Sequence, residues 1–108
     1  MTTPTDRTSL ALAHLLAADC LTADADRLDP HVWVSQEWMT GRDILRLDPA
    51  VLDEPWSDGQ RVLLQVACDI YNHSGRTLLS DVLMTLDRAS QRTVLEALRI
   101  AVDMEADR

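Results

Sequence analysis

The stretch SDGQRVLLQVACDIYNHSGRTLLSDVLMTLDRASQRTVLEALRIAVDMEAD, residues 57–107, decides the fold class, because its apolar side chains recur at helical spacing. One short break, Asn72-His73-Ser74-Gly75, interrupts it. Ser57 and Gln60 have capping-box spacing, and Asp58 sits well in the positive first turn that would follow. Over 58–73, Val62, Leu63, Leu64, Val66, Ala67, Cys68, Ile70 and Tyr71 occupy most of the helix circumference. They leave Arg61, Gln65, Asp69 and Asn72 as a narrow polar stripe. This pattern predicts the central helix of the fold. Gly75 suits a left-handed C-terminal cap, and a third segment over 77–86 puts Leu78, Leu79, Val82, Leu83 and Leu86 on its inner face. Asp87 then caps a last helix over 88–104, with Val94, Leu95, Ala97, Leu98, Ala101 and Val102 facing inward. Its outer stripe, Arg92, Glu96, Arg99 and Asp103, alternates in sign.

Upstream, a helix capped by Thr8 or Ser9 and running over 8–21 carries Leu10, Leu12, Leu15, Leu16, Cys20 and Leu21, with alanines at most other positions. A helix apolar nearly all round is buried in its own chain or shared with a second one, so residues 10–21 are also a candidate homodimer contact. An acidic connector follows. The phrase Arg27-Leu28-Asp29-Pro30 returns nineteen positions later as Arg46-Leu47-Asp48-Pro49. Asp before Pro is helix-start chemistry, so short helices are expected near Pro30 and Pro49. Gly41 reads as the end of one short helix, and a further helix after Asp43 would carry Ile44, Leu45 and Leu47. The alternation in 32–34 permits a short strand, but no pairing partner stands out. The expected fold is one all-α domain over 1–108, an orthogonal or up-down bundle of about four main helices, with short helices between residues 30 and 53.

Composition bounds the function. With 108 residues, 46% of them hydrophobic and 26% charged, the chain reads as a single soluble globular domain. Cys20 and Cys68 are isolated in apolar segments and read as buried thiols in a reducing compartment, with a single disulfide as the alternative. The apolar run after the first residues is too short to span a bilayer and is no signal peptide, which makes a cytoplasmic protein without membrane contact the expectation. Net charge is −8, with ten acids against four arginines in residues 1–56 and eight against six in residues 57–108. That sign disfavours direct nucleic-acid binding. Basic residues are all arginine and phenylalanine is absent, the mark of a GC-rich coding sequence such as a bacterial or phage one.

Each catalytic template fails on a stated requirement. His14, His31 and His73 form no i,i+4 pair for a metal, and Asp24, Asp26 and Asp29 lack the glycine and terminal glutamate of a calcium loop. Glycine at 41, 59 and 75 builds no phosphate cradle, and cysteines in apolar surroundings are poor nucleophiles. No catalytic, cofactor or metal site is therefore expected. What remains is Trp33, Trp38 and Trp56, all three tryptophans of the chain, inside its acidic half. Tryptophan anchors binding hot spots and acidic surroundings favour a basic protein partner, so the expected contact residues are Trp33, Glu37, Trp38, Asp43, Asp53, Glu54 and Trp56. The expectation is a non-enzymatic protein-binding module, an adaptor or regulator. Two alternatives stand beside it: an inhibitor whose carboxylates imitate nucleic-acid phosphates, and a helix-turn-helix regulator built on residues 77–104.

Overall fold

A computed structural model describes residues 6–102. The chain is mostly helical, as expected, but it is not all-α: a two-stranded antiparallel sheet stands where short helices were expected. Among the described residues the order is α1 (Arg7–Leu16), α2 (Asp19–Thr22), α3 (Ala25–Leu28), β1 (Val32–Gln36), β2 (Asp43–Leu47), α4 (Asp58–Asn72), α5 (Leu79–Thr85) and α6 (Arg88–Val102).

Asp6, not Thr8 or Ser9, caps α1, its carboxylate accepting the Ser9 N–H at 3.0 Å and the Ser9 hydroxyl at 3.1 Å. Ser9 is buried, and its hydroxyl oxygen also accepts the Leu45 N–H at 3.0 Å, which ties α1 to β2. The expected helix over 8–21 breaks at Ala17 and Ala18, where Ala18 turns extended at ψ 140°. The reason lies in helical geometry. At 100° per residue a continuous helix would set Leu21 near Leu10, on the outer side, away from Ala11, Leu12 and Leu15. The break swings Leu21 into the core, where it is fully buried, and leaves Leu10 37% exposed. Ala11, Leu12, Leu15 and Leu21 are all buried within the chain, so most of the apolar content of residues 10–21 is part of the protein's own core.

The two Asp-Pro repeats start short helices, as expected, both of the 3₁₀ type: Asp29–His31 and Pro49–Asp53. They flank the hairpin at its base. Asp48 caps the second turn by accepting the Ala50 N–H at 2.9 Å, and its own N–H donates to the His31 carbonyl at 2.8 Å. Ile44, Leu45 and Leu47, expected on a helix, lie on β2, which supplies the pairing partner that Val32–Val34 seemed to lack: Val32 faces Leu47, and Val34 faces Leu45. Gly41, at φ +72°, does not end a helix but lets the chain reverse between the strands. The period of 2 places Val32, Leu45 and Leu47 against the core.

Helix α4 is central, as expected. Ser57 and Gln60 form the capping box, and Leu63, Leu64, Ala67 and Cys68 are completely buried. Helix α1 packs on α4 and, more extensively, on α6. At the end of α4 the left-handed residue is His73 at φ 65°, not Gly75. Gly75 instead permits a close approach, lying so near the α4 backbone that a Cβ there would collide with the Gln65 carbonyl oxygen. The Asp69 carboxylate accepts the N–H groups of Arg76 at 2.8 Å and Thr77 at 2.9 Å, so α5 begins only at Leu79. Asp87 caps α6 by accepting the Ser90 N–H at 2.7 Å, as expected. Residues 103 and 104 of the expected last helix lie outside the described residues.

Candidate protein-interaction surfaces

The seven expected contact residues separate into two groups. Trp33, Glu37, Trp38 and Asp43 belong to the hairpin, whereas Asp53, Glu54 and Trp56 follow it at its base. Trp56 is no contact residue: it is 6% exposed, its indole N–H donates to the Val51 carbonyl at 2.7 Å, and the Arg27 guanidinium lies over its ring at 5.4 Å. A chain without phenylalanine uses this tryptophan as core. Glu54 reaches His31 across 3.1 Å, closing the hairpin base, and Asp53 is exposed beside it.

The hairpin group points outward. Trp38 is 88% exposed at the tip with Met39 at 72%, Trp33 is 49% exposed on β1, and Val34 is 58% exposed beside it. Glu37 and Asp43 flank the turn and are half-buried, Glu37 accepting the Thr40 hydroxyl at 3.2 Å. Backbone polarity follows from the register. Glu37 donates to the Arg42 carbonyl and Asp48 to the His31 carbonyl, while the Leu45 N–H turns away to Ser9, so alternate residues are paired and Val34 and Gln36 direct their N–H and C=O away from β2. Helix α1 thus covers the outer edge of β2. The outer edge of β1 has no strand on it among the described residues.

A second surface was not foreseen. Leu78, Leu79, Leu83, Leu95, Leu98 and Val102, read from sequence as inward or adjoining the core, are 42–75% exposed. All but Val102 line a groove of about 450 Å³ between α4, α5 and α6, with Val66, Ile70, Val82 and Val94 as its floor. Its origin is geometric: α5 is only seven residues long and packs on α4, while its link to α6 runs through the Gln91 side chain. On α6 Val94, Leu95, Ala97, Leu98, Ala101 and Val102 span about 160° at 100° per residue, and only the half holding Val94, Ala97 and Ala101, continued by Ile100, packs on the core. That excess width was the available signal. Two of the groove's three polar side chains, Asp69 and Gln91, are turned to its own backbone, and the hydroxyl of the third, Thr77, is buried. Besides Asp69, the Gln91 amide donates to the carbonyls of Val82, Leu83 and Leu86 at 3.1–3.4 Å. Burial pushes the Asp69 carboxyl up, but the hydrogen bonds from Thr77, Arg76 and Gly75 together outweigh it and hold the carboxyl below its ordinary value.

A third, more polar cleft of about 360 Å³ is lined by His14, Asp19, Cys20 and Asp87. Cys20 is exposed there rather than buried as expected, whereas Cys68 is fully buried, and both thiols are free. Partial burial pushes the Cys20 thiol up, and the Asp87 and Asp19 carboxylates push it further, against a backbone hydrogen bond that lowers it. Burial drives Cys68 to about 11. A nucleophilic thiol needs the opposite shift. Among the described residues no group of three or more histidine, cysteine or acidic side chains is placed to hold a metal, and no helix is long and apolar enough to cross a membrane.

Comparison with protein-family models, with curated proteins and with solved structures returned no match for this chain.

Proposed function

We propose that the chain is a non-enzymatic protein-binding module, and that its hairpin receives an extended segment of a basic protein, laid along β1 as a third strand. The observation that carries this is the open edge of β1. Edge strands are ordinarily protected by a charge, a proline, a bulge or a covering element. Val32-Trp33-Val34-Ser35-Gln36 contains no charge and no proline, and its outward N–H and C=O groups at Val34 and Gln36 are aligned to pair. Strand addition uses these groups for affinity and neighbouring side chains for selectivity. Trp33 and Trp38 supply the large rigid contact area that hot spots need. Glu37 and Asp43 on the hairpin are balanced by Arg42 and Arg46, so it is the −8 charge of the whole chain that favours a basic incoming segment and speeds its encounter. Asp53 and Glu54 lie at the hairpin base and contribute only to that long-range field.

The test uses an alternating Lys–Val octapeptide, titrated into the isotope-labelled chain. The expected result is a shift of the Trp33 and Trp38 indole signals together with slowed exchange of the Val34 amide. Val34→Pro removes the outward N–H while leaving every bond to β2 in place, and it should weaken binding about tenfold, the worth of one hydrogen bond of roughly 1.4 kcal/mol. Unchanged spectra at millimolar peptide, or equal binding by Val34→Pro, would overturn the reading.

A further inference from the structure

We propose that the groove between α4, α5 and α6 is filled by a second copy of this chain, in a two-fold dimer that packs α6 against α6 along Leu95, Leu98 and Val102. Leu79 and Leu83 of α5 close each side. This does not depend on the hairpin reading.

Area is the first argument. A large aliphatic side chain presents roughly 100 Å² of apolar surface when fully exposed, as about 2.5 kcal/mol per buried side chain at about 25 cal/mol per Å² implies. At the observed exposures of 42–75%, the leucines of the groove and Val102 leave about 370 Å² of aliphatic surface. One side of a standard interface buries about 800 Å², a little over half of it apolar, or about 450 Å². The face therefore carries close to the apolar content that one side of a stable dimer requires.

Chemistry is the second argument. A small-molecule pocket of this volume needs a few free polar groups to orient its ligand. Of the three polar side chains that line it, Asp69 and Gln91 are committed to backbone groups and the Thr77 hydroxyl oxygen is buried away from the open surface, so what the groove offers an occupant is mainly side-chain packing. Charge is the third. A dimer made through residues 1–56 would set −6 against −6, whereas residues 57–108 carry −2. Beside the aliphatic flank of α6 the polar positions are Arg88, Arg92, Glu96 and Arg99, with Arg99 and Glu96 already paired at 2.6–3.1 Å within the chain.

Sedimentation equilibrium of the full chain between about 1 and 300 μM should show a species of about 24 kDa, twice the 12.1 kDa chain. The pair Leu79→Glu and Leu95→Glu, at side chains 75% and 66% exposed, should keep the circular dichroism spectrum and weaken dimerisation at least about 100-fold. In a mixed labelled and unlabelled sample of the unaltered chain, isotope-filtered contacts should connect the methyls of Leu95, Leu98 and Val102 between copies. Val34→Pro, which disables the hairpin edge, should leave the dimer intact. A monomer throughout the concentration range overturns the proposal. So does a dimer that survives the glutamate pair, that is lost in Val34→Pro, or whose intermolecular contacts map to β1.

Discussion

Gly75 shows how one residue without a side chain holds the groove in shape. Its backbone lies against the α4 carbonyl of Gln65, and the two nearest atoms a Cβ would meet belong to that backbone, which cannot rotate aside. Gly75→Ala should therefore cost about 3 kcal/mol, the upper range of overpacking, read as a lower urea midpoint with an unchanged slope. A loss below about 0.5 kcal/mol would mean that the chain after α4 is free to move away. The glycine was visible in the sequence as a helix terminator, but its actual role was not, because a close approach between residues 65 and 75 depends on how the chain folds back. Trp56 was illegible for the same reason. Nothing within its own segment, Glu54-Pro55-Trp56-Ser57, distinguishes an exposed indole from one that donates to Val51 and lies under Arg27.

Among the elements, α4 and α6 were legible because periodicity and caps agree: Ser57 with Gln60 for one, Asp87 for the other. The hairpin was not. Ile44, Leu45 and Leu47 form a run too short for periodicity to separate helix from strand, and what decides it is pairing with Val32 and Val34 eleven or more positions away. On α5 and α6 the inward assignment assumed that an apolar arc is always covered, and it failed at Leu79, Leu83 and Leu95, the groove itself. Asp69 governs that region, since its two oxygens hold the link between α4 and α5 through separate N–H groups. Its folded pKa lies below the ordinary 3.8, so its contribution is present above about pH 4 and is lost as pH falls through the lower folded value. Asp69→Asn keeps one acceptor and turns an amide N–H toward the other donor. It should be about 1 kcal/mol less stable at pH 7, a loss that shrinks as pH falls through the folded value and the native carboxylate protonates. Equal stability of the two proteins at pH 7, followed by thermal denaturation, would show that the clamp does not matter.

For the whole molecule, the two surfaces divide the charge between them, and this gives them opposite responses to salt. Residues 1–56 carry −6 and contain the hairpin, while residues 57–108 carry −2 and contain the groove. A basic segment approaching β1 is drawn by the full −8 field, and added salt screens that attraction. Two copies meeting through the groove each bring −8, so the same salt screens a repulsion and leaves the aliphatic contact almost untouched. Raising NaCl from about 20 mM to about 500 mM shortens the screening length from roughly 20 Å to roughly 4 Å, less than the distance between most charges of a chain this size. Dimerisation should then strengthen by about threefold to tenfold in sedimentation equilibrium, while Lys–Val peptide binding weakens by at least as much in the same buffer series. Because both measurements are made on one unaltered protein, a general loosening of the fold would move both affinities down together. Peptide binding that fails to weaken would remove the electrostatic part of the hairpin reading. A dimer that weakens with salt would be held by ion pairs rather than by Leu95, Leu98 and Val102, and the groove would lose its proposed occupant.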